Sequence, residues 1–112
     1  MKTTPTEDGP TAMERRHALR RKFNGKIEIE WGSSVLPGIV RDIGPRGLFI
    51  EIALPLWLGA AFMARLIIPP AVSLECTVNR VEPGKGMAVT FAIPEEGDKA
   101  RLEALLASLP TT

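Results

Sequence analysis

Residues 13–26 crowd six cations, Arg15, Arg16, Arg20, Arg21, Lys22 and Lys26, against a single acid, Glu14. Four of the arginines fall within seven residues. A guanidinium offers a planar fork for bidentate contact with phosphate and a flat face for stacking on a base. The spacing of Arg16 and Arg20 lets both wrap one ligand, whether the segment is helical or turns around it. The plain alternative is a solvated basic tail with generic affinity for polyanions. A second segment, Arg41-Asp-Ile-Gly-Pro-Arg-Gly-Leu48, lies between two predicted strands. A loop in that position can turn backbone N–H groups and side chains towards a ligand. The Asp42 carboxylate suits the N1–H and N2–H₂ donors of a guanine edge. Gly44 and Gly47 allow a ligand close to the backbone. The alternative here is an ordinary turn rich in breakers.

Other site chemistry is absent. His17 is the only histidine and sits among arginines, which disfavour its protonated form. One Cys and one His do not make a typical zinc site. Cys76 lies in an apolar stretch and reads as a buried small hydrophobe rather than a nucleophile. There is no P-loop, GxGxxG or GxSxG, and the carboxylates form no close pair with an acid–base role. The sequence therefore points to binding without catalysis, and to no metal and no cofactor.

The chain has 112 residues, 45% hydrophobic and 24% charged, which suits one domain with a core of its own. The net charge of +1 conceals an asymmetry. Residues 1–12 sum to −1 (one base, two acids), residues 13–26 to +5 (six and one) and residues 27–112 to −3 (seven and ten). A basic segment on an acidic body points to an anionic partner. Residues 1–12 are polar, carry no apolar signal-peptide core and are expected to be a disordered tail. A lone thiol without a secretory signal predicts a reducing, cytoplasmic setting. Ile52–Leu74 holds one charge, Arg65, but Pro55, Pro69, Pro70 and Gly59 break it. Two strands joined by a turn fit it better than a membrane span.

The elements that must position the two segments are strands. Lys26–Trp31 alternates, with Ile27, Ile29 and Trp31 on one face and Glu28 and Glu30 on the other. A second strand is expected over Val35–Asp42, with an edge or a bulge near its start at Pro37 and Gly38. A third carries Leu48, Ile50 and Ile52. Phe62–Ile68 is read as a strand enclosed on both faces, followed by one near Leu74–Val81. A Gly-containing hairpin loop over Glu82–Gly86 leads to a last strand over Met87–Ile93. Leu102, Leu105, Leu106 and Leu109 then make a helical stripe, with Asp98 as the expected N-cap and Pro110 as the stop. The expected fold is all-β, a six-stranded antiparallel barrel (residues 26–94) with a C-terminal helix (97–109) over one opening. Residues 13–25 form an N-terminal arm, and the unit as a whole spans 13–110. Trp57 would be either a plug over a barrel end or an exposed surface for a partner.

Taken together, the segments resemble the PilZ domain family. That family carries RxxxR before its first strand and [D/N]xSxxG some twenty to thirty residues later. Arg16-His-Ala-Leu-Arg20, preceded by Arg15, is similar to the first motif, and Asp42-Ile-Gly-Pro-Arg-Gly47 to the second at Asp42 and Gly47. Leu48-Phe-Ile50, Leu56…Gly59, Val78-Asn-Arg-Val81, Met87–Phe91 and the Leu-rich C-terminus extend the likeness over residues 14–109. The resemblance implies a non-enzymatic receptor for cyclic di-GMP, a bacterial second messenger. Arg15, Arg16 and Arg20 would grip phosphates and stack on guanine, while Asp42, Gly44 and Gly47 would shape the barrel side. The arm would close over the ligand and signal to an effector protein that the sequence does not identify. One departure stands out: the motif Ser is Gly44 here. A lost hydrogen bond to a charged ligand costs ~1.5–3 kcal/mol, roughly a ten- to hundred-fold loss of affinity. The Gly44 N–H is expected to compensate in part, and Arg46 to face solvent. The competing expectations are a degenerate PilZ-like adaptor that contacts only proteins and, ranked last, a nucleic-acid-binding barrel, for which the chain has few stacking aromatics.

Overall fold

A computed structural model describes residues 21–109. Six antiparallel strands close into a barrel in the order β1-β2-β3-β6-β5-β4. They are β1 (Arg21–Trp31), β2 (Ser34–Ile43), β3 (Gly47–Glu51), β4 (Ala61–Leu66), β5 (Val72–Glu82) and β6 (Gly86–Ala92). One helix, α1 (Glu96–Ser108), follows. Closure gives every strand a neighbour on both sides over part of its length. The interior is apolar, and no polar or charged side chain is buried among the described residues. Ile27, Ile29, Val40, Ile43, Leu48, Ile50, Leu66, Leu74 and Met87 are its largest fillers. Each of the longer ones contributes ~1.5–3 kcal/mol by leaving water.

Several expectations need correction. β1 starts at Arg21 rather than Lys26, because its first half pairs with the end of β2 from Arg21↔Ile43 onward. β4 is not enclosed on both faces. Phe62, Ala64 and Leu66 point inward, while Ala61, Met63 and Arg65 are exposed, and Arg65 binds Glu28 at 2.6 Å on the outer face. Pro37 does lie on a local edge: it pairs with Glu28 of β1, while the β2–β3 ladder begins only at Ile39. Gly38 marks no bulge, and is small because a Cβ there would meet Ile50 Cγ2 of the adjacent strand at 2.7 Å. Trp57 is not a plug: it is 61% exposed and packs edge-to-face on Trp31 at 5.0 Å, while the neighbouring Leu56 is buried. The β5–β6 hairpin turns through Gly84 at φ 76°, as a loop built on Gly requires.

The helix N-cap is Glu95, not Asp98, and it caps without a side-chain hydrogen bond. Asp98 instead accepts the Ser73 N–H at 3.1 Å and pairs with Arg101. Arg101 also donates to the carbonyls of Pro70 and Ala71. These contacts fasten the start of α1 to the start of β5. At the other end of the helix, Arg21 donates to the Leu109 carbonyl at 3.0 Å, and Leu102 is buried against the barrel. The helix thus crosses the barrel end where β1 and β5 begin. Pro110 lies outside the described residues. No helix among them is long and apolar enough to cross a membrane.

Cys76 is buried on β5, and burial pushes its thiol up to about 12 from 9.0. The folded state therefore keeps the proton, while the unfolded chain gives it up as pH passes 9.0. This contribution is complete below pH 9 and is lost progressively above it. The melting temperature of the wild type should fall faster between pH 9 and 11 than that of Cys76→Ala, and parallel curves would contradict the assignment.

Candidate ligand site

The site region is built around paired irregularities in β1 and β2. Between β2 and β3 the register runs Val40↔Ile50 and then Asp42↔Phe49, so Arg41 is an extra residue in β2. Strict alternation from Gly38 and Val40, both inward, would send Asp42 into the apolar interior. Burying an unpaired carboxylate is strongly unfavourable. The bulge absorbs one residue, so Ile43 enters the core at 0% exposure and both Arg41 and Asp42 project outward. Opposite it, β1 shifts register between Lys22 and Gly25, leaving Phe23 and Asn24 across from Arg41. A Cβ on Gly25 would lie 2.3 Å from Phe23 Cε2, so glycine is what lets that ring lie over the strand.

The result is a concavity of about 570 Å³ lined by Lys22, Phe23, Asn24, Arg41 and Asp42. This size suits a small ligand. Lys22 stands directly across from Asp42 in the β1–β2 register, and Arg41 Nη2 meets Glu51 Oε1 at 2.7 Å on an exposed face. The β2–β3 turn closes on itself: the Gly44 N–H donates to the Gly47 carbonyl at 2.8 Å, and the Phe91 N–H to the Arg46 carbonyl at 2.8 Å. The Gly44 N–H is therefore engaged within the turn. Gly44 is buried, whereas Pro45 and Arg46 are exposed.

Of the residues singled out in the sequence, Asp42, Gly44 and Gly47 sit together at the end of the barrel that α1 crosses. Arg15, Arg16 and Arg20 lie outside the described residues. The chain enters the barrel at Arg21, which pairs with Ile43 between Asp42 and Gly44. Lys22, Phe23, Asn24 and Arg41 were not singled out as site residues. Their signal was present in Val40-Arg-Asp-Ile43, where two polar residues between two apolar ones break the period of two that a strand requires.

A family model of the PilZ domain matches residues 14–108. The chain belongs to the PilZ domain family. PilZ domains are cyclic di-GMP receptors and adaptors, generally non-catalytic binding domains, and the barrel with its C-terminal helix is the PilZ architecture. The fold is similar to that of the Bacillus subtilis inhibitor of motility MotI/DgrA, with TM-score 0.65 and 19% identity over 80% of this chain. It spans 46% of that protein, so the likeness concerns a little under half of it. It is also similar to the PilZ domain of CeSA from a cellulose-synthesizing bacterium, with TM-score 0.59 and 16% identity, covering 79% of this chain and 94% of that one. No protein of curated function matches the sequence.

Proposed function

We propose that this PilZ domain is a non-enzymatic cytoplasmic receptor for cyclic di-GMP that signals to a partner protein when its arginine arm closes. The observation that carries the reading is the point of attachment. Arg20 is followed directly by Arg21, whose register partner Ile43 adjoins Asp42 and Gly44. Arg21, the residue that follows the arm motif, thus adjoins the loop motif at one barrel end. The +5 segment supplies charge for a dianion, and Asp42 beside the concavity supplies an acceptor for a guanine edge. Ordering of a charged arm over a small anion is a binding mode in which folding and recognition are coupled. Calorimetric titration should detect cyclic di-GMP, and folded protein giving no heat at high micromolar ligand would refute the reading.

A second reading, an adaptor that contacts only proteins, is favoured by Gly44, since neither a hydroxyl nor its own N–H is offered there. The two readings separate at this residue. The left-handed glycines among the described residues are Gly32, Gly59 and Gly84, so Gly44→Ser imposes no backbone strain of that kind. In a receptor, Gly44→Ser should tighten cyclic di-GMP binding about ten-fold by restoring one hydrogen bond to a charged ligand. An unchanged Kd in a variant that melts like the wild type would show that the hydroxyl has no ligand to meet.

A further inference from the structure

Asp42 poses an electrostatic problem for the proposed ligand. A carboxylate that accepts from a guanine edge also repels the phosphates of the same molecule, and the barrel body adds no help, since residues 27–112 sum to −3. Two cations outside both motifs stand beside it. Lys22 faces Asp42 across the β1–β2 register. Arg41 precedes it on the bulge, which turns successive side chains to the same outer face. Both line the concavity with Asp42.

We propose that Lys22 and Arg41 are phosphate-binding residues of this site, a pair of cations that offsets Asp42 and replaces the affinity lost with the motif hydroxyl at Gly44. The inference rests on the cyclic di-GMP reading and assigns the dinucleotide's phosphates to these two side chains. Arg41 is held ready by Glu51 at 2.7 Å, with both side chains about half exposed, at 52% and 46%. An exposed pair of this kind is weak and salt-screened. Arg41 can exchange the Glu51 carboxylate for a phosphate, where its fork makes two parallel bonds. Glu51 is thus a positioning residue that competes with the ligand. The bulge is what makes this possible: on a regular strand Arg41 and Asp42 would point to opposite faces.

The test uses the full chain and calorimetric titration with cyclic di-GMP. Lys22→Gln and Arg41→Gln should each weaken binding about ten-fold, with melting temperatures of the free proteins within a degree or two of wild type, since both side chains are exposed. Glu51→Gln should tighten binding about three-fold, and that gain should vanish in the Arg41→Gln background. Wild-type affinity in the Lys22→Gln, Arg41→Gln double variant overturns the proposal while leaving the receptor reading intact. A wild-type protein that does not bind defeats the receptor reading first. A Glu51→Gln gain that persists without Arg41 overturns the exchange between Glu51 and phosphate.

Discussion

The Arg20→Ala protein is expected to bind cyclic di-GMP at least a hundred-fold more weakly than wild type, and Arg16→Ala to fall similarly. Each arginine offers two or more charge-assisted hydrogen bonds, worth ~1.5–3 kcal/mol apiece, and a stacking face. Every 1.4 kcal/mol is a factor of ten in Kd. The melting temperature of the free protein should barely move. The two residues precede β1, which starts at Arg21, and the interior is filled by residues from Ile27 onward. Affinity and stability are therefore predicted to separate cleanly. Wild-type affinity in Arg20→Ala, measured by calorimetry, would refute the arm as the phosphate clamp. A large drop in melting temperature would instead make the arginines structural.

The second large effect concerns stability. Ile43→Asp should cost several kcal/mol, whereas Arg41→Ala should cost almost nothing. The bulge at Arg41 delivers Ile43 to the interior, where it is fully buried. Ile43→Asp removes that side chain and puts a carboxylate into an interior that holds no polar side chain among the described residues. Burial of an unpaired charge costs several kcal/mol, and loss of a buried isoleucine about 2–5 kcal/mol. A domain of this size has ~5–15 kcal/mol in total, and each kcal/mol shifts the melting temperature by about 4–8 °C. The Ile43→Asp variant should therefore melt at least 10 °C lower, followed by circular dichroism. Equal melting of the Ile43→Asp and wild-type proteins would show that the register shift does not carry Ile43 into the core.

The same two residues mark the limit of what could be read in advance. Ile27, Ile29 and the Met87–Phe91 strand follow period two, and Leu102, Leu105, Leu106 and Leu109 follow the helical period. In β1 and the helix pattern and structure agree because one face is buried and the other is wet, whereas in β6 Ala88 is buried along with Met87 and Val89. The pattern misled at β4. An apolar run from Phe62 looked doubly enclosed, yet Met63 and Arg65 lie on the outside, since a single barrel has only one interior. It misled again at Asp98, whose type and position suit an N-cap. The carboxylate is held by Ser73 and Arg101 instead, and no local rule sees a partner on another strand. Trp57 is exposed and Leu56 is buried because the route of the β3–β4 connection, not hydrophobicity, decides which of them meets the core.

The sequence by itself determined the class of fold, the charge asymmetry and the two motifs that resemble the PilZ family. All three are written in local spacing and composition. Only the tertiary structure decided what stands next to what. The β1–β2 register pairs Arg21 with Ile43, bringing the end of the arginine segment beside Asp42. The facing bulges turn Arg41 and Asp42 outward together, opposite Lys22. The +1 net charge thus divides into a basic arm and an acidic barrel that carries its own small cationic rim. The physical reason is register: a shift of one residue exchanges inside for outside along a strand, and the pairing with the strands on either side sets it.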